Sequence, residues 1–185
     1  RLDQEKCEAW DNWLIEMLAA YVVVNTWPHY EVDEAKAEWL RGAIAPDGVI
    51  QTRAELELLL HCIEMAKSVP DTLVVLALNQ LLLALATGEG AYARFFRKKR
   101  VGLGAGDMDY LFRILRRILQ AGTSVVSRSE FAALRSIDAL VRGKRNHPAW
   151  ITMLRSLSEH PEIGQARTGP WLRIAGRSRP LDEAA

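Results

Sequence analysis

Hydrophobic positions recur every three to four residues along most of the chain, the period of helices that bury one face. Across residues 3–24, Trp10, Trp13, Leu14, Met17, Leu18 and Tyr21 fall at this spacing. Pro28, inside Asn25-Thr-Trp-Pro-His-Tyr30, has no amide hydrogen to continue the ladder, so the first helix ends before it. Asp33 is placed to cap a second helix over residues 34–45, with Ala37, Leu40 and Ile44 in the three-four rhythm. Pro46-Asp47-Gly48 then makes a tight turn.

Thr52-Arg-Ala-Glu55 has the form of a capping box, in which each side chain satisfies a free amide at the other end. It predicts a helix to about residue 67. Pro70 and Asp71, the latter placed to cap, open the next, which runs through an apolar stretch to about residue 87. A short basic helix is expected over residues 91–99, followed by a glycine-rich stretch, Val101-Gly-Leu-Gly-Ala-Gly106, that reads as a flexible linker between halves. Asp107 caps a helix to about residue 121, with Gly122 as its stop. Ser127-Arg-Ser-Glu130 is a second capping box and starts a helix to about residue 141. Asn146 or His147 caps the last, to about residue 160, with Pro148 in its first turn. Periodicity disappears beyond Gly164.

These elements predict an all-α protein, a compact bundle with two related helical hairpins and an irregular C-terminal tail. Residues 1–163 form a single helical domain, with repeat units at about 33–67 and 107–142, and residues 164–185 form the extended tail. The repeat is carried by a shift of 75 positions that sets residues 39–66 on 114–141 without a gap. Leu40, Arg41, Arg53, Glu55 and Leu59 fall on Leu115, Arg116, Arg128, Glu130 and Leu134. Thr52 falls on Ser127, Ile44 on Leu119, Ile50 on Val125 and Leu56 on Phe131.

Composition agrees with a packed core: 49% of the 185 residues are apolar. Residues 13–27 and 73–86 are the two longest apolar runs, and each falls short of the roughly 20 residues of a membrane span. Glu16 interrupts the first, Asn79 and Gln80 the second. The second is apolar almost all round, as a central helix would be. Two cysteines, Cys7 and Cys62, give no disulfide framework or zinc motif and fit a reducing compartment. No signal-peptide pattern opens the chain. The expected location is cytoplasmic, with peripheral association at the membrane surface as an extension of it.

Charge changes the picture more. A net charge of +1 conceals two opposed halves. Residues 1–92 hold 15 acidic and 6 basic residues, a net of −9, and residues 93–185 hold 8 acidic and 18 basic, a net of +10. The densest cations lie in Arg94-Phe95-Phe96-Arg97-Lys98-Lys99-Arg100, and Arg113, Arg116 and Arg117 extend them. Aromatics beside such a cluster suit lipid headgroups, nucleic acid or an acidic protein face. The plainer reading is a solvated basic helix end with one phenylalanine in the core. With Trp171 of the tail, these residues form the expected partner-binding set.

Other constellations are weaker. Glu57, His61 and Glu64 share a helix face, yet di-metal carboxylate sites want Glu-x-x-His on two helices, so a salt-bridged face is the better reading. Cys62 beside His61 points elsewhere on the helix and reads as a buried, inert thiol. The glycine stretch follows a basic helix rather than a strand, so it is no dinucleotide loop. No nucleophile motif and no cofactor motif is present.

The segment from Pro46 to Glu55 resembles the Asp-Gly-x-Ile…Glu hinge of TerB-like helical domains, a family associated with tellurite resistance and stress responses. The wider run resembles alphaproteobacterial members of that kind. They share an aromatic-Pro segment (Trp27-Pro28), then Asp33-Glu-Ala-Lys-Ala-Glu-Trp-Leu40, Glu55-Leu-Glu-Leu-Leu59 with Val69-Pro70 and Leu73, and a late His147-Pro-Ala-Trp150. The match covers residues 20–160. It implies a compact, non-enzymatic helical module, in which Asp47 and Glu55 are the acidic residues that would hold a metal. Gly122 and Thr123 stand where a second copy would need Asp-Gly, so that site is not duplicated. The expected function is a non-catalytic interaction module docking on an acidic protein partner or an anionic membrane surface through its basic half. A nucleic-acid-binding regulator and a metal-binding stress-response protein are the alternatives, with a small metal-dependent enzyme at Asp47, Glu55, Glu57, His61 and Glu64 behind them.

Overall fold

The computed structural model describes residues 8–97, 101–120 and 126–158. Its elements are α1 (Glu8–Ala20), a π-helical turn (Tyr21–Asn25), α2 (Glu34–Ile44), α3 (Arg53–Met65), α4 (Asp71–Ala86), a second π turn (Tyr92–Phe96), α5 (Ala105–Gln120), α6 (Arg128–Val141) and α7 (Pro148–Ser158). The protein is all-α, and no strand forms among the described residues beyond an isolated bridge between Glu31 and Ser68. None of these helices is long and apolar enough to cross a membrane.

Both capping boxes form. Thr52 accepts from the Glu55 amide while Glu55 Oε2 accepts from the Thr52 amide, and Ser127 and Glu130 do the same. Asp33 caps α2 by accepting from the Lys36 amide at 2.9 Å. His147 caps α7, with Nδ1 accepting from the Ala149 amide. Asp71 does not cap: α4 begins on it, and Pro70 occupies the cap position.

Element order recurs: long helix, π turn, helix, capping box, helix. Each π turn begins on a tyrosine whose carbonyl accepts from the amide five residues on, Thr26 to Tyr21 and Arg97 to Tyr92. In each run the first and last helices pack most extensively, α1 on α3 and α4 on α6. The turn of the second unit, with Gly122, Thr123 and Val125, lies outside the described residues.

At the centre lie α3 and α4, with Leu56, Leu59, Leu60 and Ile63 against Leu73, Leu78 and Leu81. Cys62 is fully buried, and burial pushes its thiol up to about 12. The loop after Pro28 is organised by Lys36, whose ammonium donates to the carbonyls of Thr26, Pro28 and Glu31.

The glycine-rich stretch is a pinned turn rather than a flexible linker. Leu103 is wholly buried; its amide donates to Asn146 Oδ1 and its carbonyl accepts from the His147 amide, both at 2.9 Å. At Gly102 (φ +87°) a Cβ would sit 2.6 Å from the Arg145 carbonyl oxygen, so only glycine fits. Asp107 likewise lies within α5 rather than before it. The helix starts at Ala105, and the Asp107 carboxylate reaches back to the Gly104 amide at 2.7 Å.

Candidate functional site

The residues that carry the basic cluster divide into inward and outward groups. Arg97 turns inward. Its side chain is 13% exposed, Nη2 donates to the Gly102 carbonyl at 2.9 Å, and Nε lies 3.5 Å from Asp107 Oδ1. Asp107, itself buried, also accepts from Tyr92 Oη at 2.9 Å. Burial foremost, then the Asp107 charge, raises the Tyr92 phenol above its ordinary range. Tyr92 and Tyr110 pack ring to ring at 4.3 Å, and Tyr110 Oη donates to the Ala77 carbonyl. Arg97 is therefore a cation engaged within the chain, joining the second π turn to α5. An ion of this size is buried only where fixed acceptors replace its water.

Arg113 is also engaged within the chain. It bridges α5 to α3, with Nε at 2.7 Å and Nη2 at 3.1 Å from the two Glu64 oxygens, and Nη1 at 3.1 Å from Glu57 Oε2. These hydrogen bonds, that of Glu64 first, hold the guanidinium protonated more firmly than usual. Forked pairing of this kind fixes geometry as well as charge. The face of Glu57, His61 and Glu64 is thus the salt-bridged face its sequence pattern favours. His61 Nδ1 lies 2.8 Å from the Glu57 carbonyl. The opposed charges of the two halves meet here.

The outward group is smaller. Arg94 is exposed and reaches Gln51 Oε1 in the acidic half. Phe95 is 54% exposed, whereas Phe96 is partly buried and stacks parallel on Tyr92. Val101 is 72% exposed. Between Phe95 and Val101, Lys98, Lys99 and Arg100 lie outside the described residues, as does Trp171. On α5, Phe112 and Arg116 are both exposed and stand four residues apart, hence on one side. Arg117 is on the same helix, and its side chain lies outside the described set.

Asp47 and Glu55 serve their own backbone. Asp47 Oδ1 accepts from the Val49 amide at 3.0 Å, and Glu55 Oε2 accepts from the amides of Gln51 and Thr52. Among the described residues no three His, Cys, Asp or Glu side chains gather closely enough to hold a metal ion. What shapes the hinge is Gln80, which the sequence marks only as a polar break in an apolar run. Its buried amide accepts from Ile50 N and donates to the carbonyls of Gly48 and Leu76.

Sequence periodicity also misses the orientation of α1. Trp10, Trp13, Leu14, Met17, Leu18 and Tyr21 face solvent, and the core side of the same helix is Ile15, Ala19 and, in the π turn, Val22 and Val23. The helix is apolar on both sides, and its smaller side chains take the face that packs on α3. Comparison of the chain with protein-family models, with curated proteins and with solved structures returned no match.

Proposed function

We propose that the protein is a non-catalytic, TerB-like helical docking module that engages an anionic surface through the basic edge around residues 94–101. The observation that carries this reading is the pair of exposed apolar side chains, Phe95 and Val101, which in sequence flank Lys98, Lys99 and Arg100. Three successive cations cannot be buried unpaired without several kcal/mol each. Apolar side chains set among cations suit a lipid interface, where the ring enters below the headgroups that the cations contact. An acidic protein face would meet the same charge, and the vesicle and polyglutamate arms of the experiment below separate the two. On this reading the module works in the cytoplasm, peripherally at the membrane.

A non-catalytic role draws support from how the reactive groups are used. Asp47, Glu55, Glu57, Glu64 and Asp107 are each engaged by a backbone amide or a guanidinium, and Cys62 is buried. The nucleic-acid reading shares the basic edge and is separated by experiment. Wild-type protein is presented at one salt concentration to phosphatidylserine vesicles, a polyglutamate support and duplex DNA. Binding to the vesicles in preference to the others is the expected result. Stronger, steeply salt-dependent retention on DNA would make the protein a nucleic-acid binder instead.

A further inference from the structure

The outward face of α1 goes beyond the basic edge. At about 100° per residue, Trp10, Trp13, Leu14, Met17, Leu18 and Tyr21 lie along one side of the helix and its π turn, each between 39% and 59% exposed. From Trp10 to Tyr21 they span twelve residues, about 16 Å of axis or three turns. Trp10 and Trp13 stack on each other at 4.9 Å, which leaves their outer faces for a partner. A contiguous apolar stripe of this length on a monomer marks an interaction surface, and its three-four spacing matches what a partner helix presents.

Charge selects the partner. On the helical wheel, Asp11 lies at one edge of the stripe and Glu16 at the other. No Lys or Arg occurs anywhere in residues 7–35, while Glu31, Asp33 and Glu34 follow and are exposed. A second copy of α1 would set carboxylates against carboxylates with no cation on either helix to relieve them. An anionic lipid surface is repelled for the same reason. A helix with an apolar seam and Lys or Arg on its flanks meets both the stripe and its edges.

We propose that the outward face of α1 is a docking site for a basic amphipathic helix of a protein partner. Aromatic and methionine side chains fill the seam, and Asp11 and Glu16 pair with the partner's cations. The surface belongs to a different helix from the basic edge, so either assignment can fail without the other.

The probe is a fluorescein-labelled synthetic peptide of leucine and lysine in heptad order, about 18 residues long so that it spans some five turns. It is titrated against the full chain at physiological salt, beside a peptide with glutamate in place of lysine. The doubly substituted L14D/M17D protein is the control; both side chains are exposed, so the fold should persist, as circular dichroism checks. The expected result is saturable anisotropy with the Leu/Lys peptide, at least about tenfold weaker with Leu/Glu and about tenfold weaker with L14D/M17D, as loss of central anchors gives. Equal binding of both peptides, or undiminished binding by L14D/M17D, overturns it. So does concentration-dependent dimerisation lost in L14D/M17D, which would assign the face to a second copy. Binding to neutral phosphatidylcholine vesicles lost in L14D/M17D would assign it to lipid. Peptide binding that appears only when Arg167, Arg173, Arg177 and Arg179 are changed to glutamate would assign it to the chain's own basic segment.

Discussion

The amide of Ile50 donates to Gln80 Oε1 at 3.0 Å, across thirty residues of sequence and inside the core. Through this bond and the one from Nε2 to the Gly48 carbonyl, the middle of α4 fixes the turn between α2 and α3. The Ala91 amide adds a bond to the Ile50 carbonyl, so the turn is held from two sides.

Gln80→Leu roughly keeps the side-chain volume but strands the buried Ile50 amide and removes a partner from the Gly48 carbonyl. Each such loss costs about 1–3 kcal/mol, and urea unfolding should show a decrease of about 3 kcal/mol. An unchanged midpoint and slope would mean that water substitutes for the side chain and that the hinge is not held by Gln80.

Asp107 gathers the Gly104 amide, the Tyr92 hydroxyl and the Arg97 guanidinium. Asp107→Ala removes the carboxylate beside a mostly buried cation, together with the acceptor of Tyr92 and Gly104, and should cost about 3–5 kcal/mol. Replacing Arg97 with methionine in the same chain should recover part of that loss, since the cation then goes with its partner. A double variant no more stable than Asp107→Ala would show that the Arg97–Asp107 contact carries little of the energy.

Thr52→Ala and Ser127→Ala should each lower stability by about 1 kcal/mol, the usual worth of an N-cap. The second box differs in one respect: burial raises the Glu130 carboxyl above its ordinary 4.5, against the hydrogen bonds from Ser127. The folded state therefore holds that proton more tightly than the unfolded state. Glu130 contributes most below about pH 4.5, and the contribution is lost as pH rises from there through the folded value. Glu130→Gln keeps an acceptor for the Ser127 amide and does not titrate, so it should gain on the wild type as pH rises from 4 to 7. A stability difference that stays flat over this range would show that Glu130 titrates normally.

The helix ends were readable where a side chain's partner is three residues away, as at Thr52, Ser127 and Asp33. They were misread where the partner is remote or the pattern is shared. Asp107 has the composition of a cap, but Gly104 supplies the cap position and Asp107 acts from the first turn. The glycines of residues 102–106 look unconstrained until Asn146, more than forty residues on, claims the Leu103 amide. Arg97 and Arg113 count as surface charge in any tally of the halves, because their acceptors, Asp107, Glu57 and Glu64, lie 10 to 56 residues away. On α1 both faces are apolar, so period identifies the helix and leaves its orientation to packing. Ala19, Val22 and Val23 allow α3 a close approach that Trp13 and Met17 would prevent.

The basic edge is tested most directly by flotation with phosphatidylserine-containing vesicles, comparing wild-type protein with K98E/K99E/R100E. Arg97 is left in place because reversing it would break its pairing with Asp107. The variant should no longer float, while its circular dichroism spectrum and melting temperature stay those of the wild type. Wild-type binding should itself weaken as added salt shortens the screening length. Flotation of the folded variant equal to that of wild type, or no wild-type flotation at low salt, would contradict the assignment of this edge to an anionic membrane surface.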